Sequence, residues 1–206
     1  MLLFRTVATL AGAILASLAW AQPAAKPDLS RAQPIVTKVC AACHGADGNA
    51  VIPGNPVLAG QHPEYVVKQL ADFKSGERKS PVMAGMAAPL SAQDMIDLGA
   101  YFSSQKPKPG AAKDIELVKT GQAIYRGGIL AKAVPACASC HLANGVGVPI
   151  QYPRLAGQHA EYTVLQLQQF RSGERANDGN KAMRTIASRM DDQEMKAAAE
   201  YISGLR

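Results

Sequence analysis

Apolar positions along the chain recur at three- and four-residue spacing rather than in alternation. Between Glu64 and Phe73, the residues Tyr65, Val66, Leu70 and Phe73 share one face with Gln69, which predicts an amphipathic helix. Ser91 followed by Asp94 reads as a capping box opening a helix through Ser103. Asp191 with Glu194 offers a related, weaker start for a helix through Ile202, and Asp114 to Tyr125 predicts one more. No segment alternates as a half-buried strand would. The pattern implies an all-α fold, with three or four short helices per domain joined by loops rich in Gly and Pro.

The first segment has a different character. Arg5 precedes an apolar stretch from Val7 to Leu18, and Ala19-Trp20-Ala21 fits a small-x-small cleavage site. The stretch is short for the ~20 residues a membrane span needs. Residues 1–21 are therefore expected to be a cleavable signal peptide, with Gln22 the first mature residue and the periplasm the destination. Thiols in an exported chain need a fate there: disulfide, metal or covalent cofactor.

Behind that segment the sequence repeats itself. Leu58–Arg78 and Leu155–Arg175 agree at 15 of 21 positions, at an offset of 97 residues. Cys40, Cys43 and His44 recur at the same offset as Cys137, Cys140 and His141. Between the copies, Gln105–Lys113 reads QKPKPGAAK and forms a linker that is semi-rigid at its prolines. The expected organisation is a domain over residues 22–106, a linker over 107–112 and a second domain over 113–206.

Composition narrows the reading further. With 48% hydrophobic and 18% charged residues, the chain is not wholly disordered. The net charge of +6 comes from scattered residues, so no nucleic-acid partner is expected. Aromatic residues are only 5%, and a domain of this size with so few has a thin core that a buried cofactor would fill.

Cys40-Ala41-Ala42-Cys43-His44 and Cys137-Ala138-Ser139-Cys140-His141 carry the chemistry. A Cys-x-x-Cys-His run is the covalent haem-attachment pattern. Two thiols on one tight turn reach the two vinyl groups of the porphyrin, and the following His is carried beneath the ring to ligate iron. A zinc site, a thioredoxin-like redox pair and a plain disulfide compete. The immediate His in both copies, the export and the lack of a βαβ context count against them.

The second axial ligand separates a carrier from a catalyst. Domain two has three extra residues around Asn177–Asn180, so beyond them the offset becomes 100 and Met83 pairs with Met183. Met86 and Met190 have no methionine counterparts, and Met95 and Met195 fall inside the last helices as core residues. Met83 and Met183 read as loop residues able to bring a thioether across the haem face. His62 and His159 are paired rivals, read as surface residues or residues at a helix start. Pro56 and Pro153 each lie twelve residues after the motif His, where a carbonyl can accept the imidazole's other N–H. Arg78 and Arg175 read either as propionate partners or as solvated surface residues.

These motifs, with both Leu-Ala-Gly-Gln segments and the helices carrying Tyr65 and Gln69 or Tyr162 and Gln166, make the chain resemble the dihaem cytochrome c4 family: two tandem class I cytochrome c domains. The resemblance implies two covalently bound haem c, one per domain, with His44 and Met83 on one iron and His141 and Met183 on the other. It implies single-electron transfer between respiratory partners without acid–base catalysis, from a quinol-oxidising complex towards a cbb3-type terminal oxidase, with loose membrane association compatible. A dihaem peroxidase and an electron-transfer subunit of an exported dehydrogenase are the competing readings. One departure is visible. The family's first-helix Gly and aromatic residue match Gly121 and Tyr125, facing Tyr201, but domain one has Ala32 and Val36 with Pro34 between them, which predicts a short or irregular first helix.

Overall fold

The computed structural model describes residues 26–206, so the expected signal peptide lies outside the described residues. Among those residues the secondary structure is helical, with isolated β-bridges and no strand.

Domain one contains α1 (Leu29–Ile35), α2 (Ala41–His44), α3 (Pro63–Ser75), α4 (Pro81–Ala87) and α5 (Ala92–Ser104). Domain two contains α6 (Ile115–Gly127), α7 (Ala138–His141), α8 (Ala160–Ser172), α9 (Ala182–Ala187) and α10 (Asp192–Gly204). The helices α3, α5, α6 and α10 lie where the apolar spacing predicts them, extended by one or two residues at their ends. Both predicted capping boxes form: Ser91 with Asp94 opens α5, and Asp191 with Glu194 opens α10. The repeated helices α3 and α8 stop at Gly76 and Gly173, whose φ of 86° and 78° suits glycine.

The first helix of domain one is as irregular as its proline predicts. Pro34 withholds a backbone donor, and the chain widens into a π turn over Val36–Cys40 before α2. Ala32 and Val36 are nonetheless fully buried, against a core of Leu90, Met95, Leu98 and Phe102. In domain two, α6 crosses α10 through Gly121. A Cβ there would meet the Ala197 backbone, 2.6 Å from its carbonyl carbon and 2.8 Å from Tyr201 Cβ. Tyr125 stacks obliquely on Tyr201 at 5.4 Å between centroids, and its hydroxyl donates to the Leu142 carbonyl at 2.7 Å.

A buried carboxylate on the last helix of each domain clamps the start of the first. Asp97 is fully buried and accepts the Asp28 N–H and Arg31 Nε, both at 2.8 Å. In domain two the position matching Asp97 is Ala197, and the work passes one turn along α10 to Glu200, which accepts the N–H groups of Lys113 and Asp114.

The domains meet about a pseudo-twofold relation. Gln61 and Gln158 each close both backbone groups of one residue in the other domain. The Gln61 amide donates to the Arg154 carbonyl at 3.0 Å and accepts its N–H at 2.9 Å, and Gln158 does the same to Val57 at 3.0 and 2.9 Å. Arg78 and Arg175 bridge each other's backbones and are each only 7% exposed. Arg78 donates to Gln69, Gln166 and the Tyr162 hydroxyl, and Arg175 donates to Gln166, Gln69 and the Tyr65 hydroxyl. Each guanidinium also lies over the phenylalanine of its own domain, Phe73 or Phe170. The reading of these arginines as solvated surface residues is thus corrected: they are the buried hub of the interface. Asn177, from the extra residues of domain two, adds bonds to Gln69 and Asp72.

Two outcomes follow for stability. Gly121→Ala should destabilise domain two by about 1–3 kcal/mol or more, because the added methyl meets backbone rather than a yielding side chain; Ala32→Gly, at the matching crossing in domain one, relieves no such clash. Chemical denaturation followed at each domain checks this. The Arg31 guanidinium holds the Asp97 carboxyl down to about 2. A carboxylate depressed on folding stabilises fully above its unfolded value of about 4, and that contribution fades as pH falls towards 2. The stability difference between the unaltered chain and Asp97→Asn should therefore be full at neutral pH and shrink only below about pH 4.

Candidate cofactor sites

Each Cys-x-x-Cys-His run forms one helical turn with the first cysteine as its N-cap, α2 from Cys40 and α7 from Cys137. In α7 the N–H groups of Cys140 and His141 both bond to the Cys137 carbonyl, at 3.2 and 2.9 Å. Spacing of three brings both sulfurs to one side of the turn. All four thiols are free; Cys43 is exposed, and the others are half-buried. Burial pushes the Cys40 thiol up and the Cys137 thiol up to about 11. That is opposite in sign to the depressed thiols of redox-active pairs, so a thioredoxin-like role does not fit. Among the described residues no three His, Cys, Asp or Glu side chains converge as a metal cage, which leaves a zinc reading without a ligand set.

The motif histidines are buried and held alike. His44 Nδ1 lies 3.0 Å from the Pro56 carbonyl, and His141 Nδ1 lies 2.9 Å from the Pro153 carbonyl. A carbonyl only accepts, so Nδ1 carries the proton and Nε2 keeps its lone pair. Burial draws both imidazole pKa values down, and the carbonyl bonds oppose this only in part, so neutral rings are favoured. Two thiols on one turn and a neutral imidazole oriented for iron form the donor set that haem c requires.

The methionines lie differently from their expected setting. Met83 and Met183 sit not in loops but in the first turns of α4 and α9, both half-buried. Ser80 caps α4 by accepting the Met83 N–H at 3.3 Å. In domain two, the extra residues include Asn180 and Lys181 at φ 53° and 57°, and α9 starts directly after them. The proline and glycine around these methionines suggest a loop, but Pro81 is at the first turn of α4, where its missing N–H costs nothing. Met95 and Met195 are core residues at 5% and 0% exposure, whereas Met86 is 45% exposed.

His62 and His159 occupy the positions just before α3 and α8, as their reading at a helix start implies, without a capping bond from either side chain. His159 Nε2 is 2.9 Å from the Ala50 carbonyl of the other domain, which engages that nitrogen away from any metal. Sequence reasoning does not pick out Gln61 and Gln158 as the pieces that fix the two sites relative to each other. The signal is present in the sequence, as a Gln retained in both copies directly before the repeated helix.

Comparison with known proteins agrees with this geometry. The Cytochrome c family profile matches twice, over residues 29–106 and 118–206. The chain is 49% identical over 178 residues to cytochrome c4 of Azotobacter vinelandii, covering 81% of this chain and 84% of that protein. It is 38% identical to a thiosulfate dehydrogenase electron acceptor of Thiomonas intermedia (strain K12), over 94% of this chain and 89% of that one. Its fold matches the crystal structure of reduced recombinant cytochrome c4 from Pseudomonas stutzeri with a TM-score of 0.84 and 45% identity, covering 88% of this chain and all of the other. With two Cys-x-x-Cys-His turns in two all-α domains, the chain belongs to the cytochrome c4 family of electron-transfer proteins and carries two covalent haem c, one in each domain.

Proposed function

We propose that the chain is an exported single-electron carrier, matured at Gln22, whose two units over residues 22–106 and 113–206 are joined by the linker 107–112. Cys40 and Cys43 form the thioethers of one haem, and Cys137 and Cys140 those of the other. His44 with Met83 would hold one iron, and His141 with Met183 the other. When bound, each haem takes up and releases one electron.

The observation that carries this reading is the matched pair of histidine-to-proline bonds, 3.0 and 2.9 Å long, which prepare the same nitrogen for iron in both domains. The chain's own work is to hold the imidazoles in one tautomer, keep water from the buried rings and present a thioether from α4 or α9. Thioether ligation raises the potential by favouring ferrous iron. With a histidine and a methionine both holding each iron, no site would be left open for peroxide, which counts against a dihaem peroxidase. The physiological partners are a quinol-oxidising complex as donor and a cbb3-type terminal oxidase as acceptor, with loose association at the membrane. The relative named as a thiosulfate dehydrogenase electron acceptor supports a second donor of a different class, a thiosulfate-oxidising enzyme.

Carbon monoxide tests the axial ligands. The unaltered ferrous protein should bind none. Met83→Ala and Met183→Ala should each bind one per chain, and the double variant two. Binding by the unaltered protein, or none by either variant, contradicts the assignment. Donor choice is read by stopped flow: reduction by a purified thiosulfate dehydrogenase at a rate matching that enzyme's turnover favours the second donor, and slow reduction with fast oxidation by a cbb3-type oxidase favours the first.

A further inference from the structure

Two buried side-chain nitrogens among the described residues have no hydrogen-bond partner: His62 Nε2 and Arg154 Nε. They belong to one place in the interface. The backbone N–H groups of His62 and Arg154 both donate to a single oxygen, Gln61 Oε1, at 3.1 and 2.9 Å. Their side chains thus leave from adjoining points, one in each domain.

The pseudo-twofold counterparts are both accounted for. His159 Nε2 has the Ala50 carbonyl, and the residue matching Arg154 is Val57, whose backbone is bonded by Gln158 in the same manner. The backbone pairing therefore needs no arginine, and the Arg154 side chain answers to something else. Burial without an anion pulls its guanidinium below its ordinary range. Arg154 is half-buried as a residue, but its Nε is buried; that N–H and the buried imidazole nitrogen of His62, both unsatisfied, suit a carboxylate with two oxygens. Arg78 and Arg175 are held elsewhere, because Gln and Tyr groups of both domains already engage both terminal nitrogens of each guanidinium.

The carboxylate can be assigned to one haem. Arg154 stands between Pro153, whose carbonyl holds His141, and Leu155, which packs against the same buried cluster, Tyr125, Ala156, Ile202 and Leu205, as Cys137 and Ala138 do. It is thus the chain neighbour of the residue that orients the His141 ring. We propose that Arg154, with His62 from across the interface, holds a propionate of the domain-two haem, and that Val57 leaves the domain-one haem without the matching cation. The two otherwise alike sites are thereby made unequal, since a cation beside the haem favours the ferrous state and raises the domain-two potential. The inference rests on the placement of that haem against His141 proposed above.

The test is a spectroelectrochemical titration of the full-length, haem-loaded protein, with the near-infrared Met-to-ferric bands recorded throughout. Absence of those bands in the unaltered protein would show that the axial assignment fails, independently of Arg154. Met183→His identifies the domain-two step by lowering it. Arg154→Gln should lower that same step alone, moving the electron equilibrium between the haems about tenfold, which is about 59 mV for one electron. Arg154→Lys should restore most of the shift. Unchanged potentials in Arg154→Gln, or an equal fall at both haems, would overturn the proposal. Should Arg154→Gln fail to mature, Val57→Arg should raise the domain-one step, and no rise there would overturn it equally.

Discussion

The hydrogen bond from each motif histidine to a proline carbonyl twelve residues downstream is the constraint on which both sites depend. It selects the tautomer, turns the ring and leaves Nε2 as the only free donor atom. Proline suits the acceptor side because it fixes its own φ and has no N–H to compete for the turn. The rest of each domain serves that bond. A single helical turn brings the histidine under its cysteines, and the crossing of first and last helices closes the core behind it. The two domains reach this by different packing. A glycine contact and a tyrosine pair do it in domain two, and a proline-broken helix with small buried side chains in domain one.

The interface extends the same economy of polar groups. A glutamine side chain sets an N–H donor group beside a carbonyl acceptor, as a backbone residue does. Gln61 and Gln158 use both to pair with a chain segment that has no strand partner. The arginine hub lies among amides, phenols and aromatic faces rather than carboxylates, so its positive charge is spread over many weak acceptors in a buried setting. The arginines, glutamines and tyrosines make specific bonds across the boundary, and this fixes one domain against the other more firmly than a smooth apolar contact would. The twofold likeness is broken at a few side chains, Val57 against Arg154 and Asp97 against Glu200. These are the places where two copies of one unit acquire separate properties.

Much of this was legible in the residues. The helix spacing, the capping boxes, the repeat offset and the proline twelve residues after each histidine all correspond to features of the structure, because each is a local signal with a local cause. Pro34 announced its irregular helix. What escaped was of two kinds. Met83 and Met183 looked like loop residues because Pro and Gly surround them, yet proline also opens helices, and a short helix carries little periodicity. Arg78 and Arg175 read as either propionate partners or surface residues because nothing near them in sequence implies burial, and their burial depends on glutamines and tyrosines about a hundred residues away in sequence. A repeat shows that two units exist; only the folded interface shows which of their polar residues face each other.

The central claim is that each iron sits between one imidazole and one thioether. Iron K-edge X-ray absorption on the haem-loaded protein tests it most directly, together with a haem count per chain. The account predicts two haems and an average first shell of five nitrogens and one sulfur, unchanged between oxidised and reduced protein. An average shell of six nitrogens, or a five-coordinate iron at either site, would contradict it.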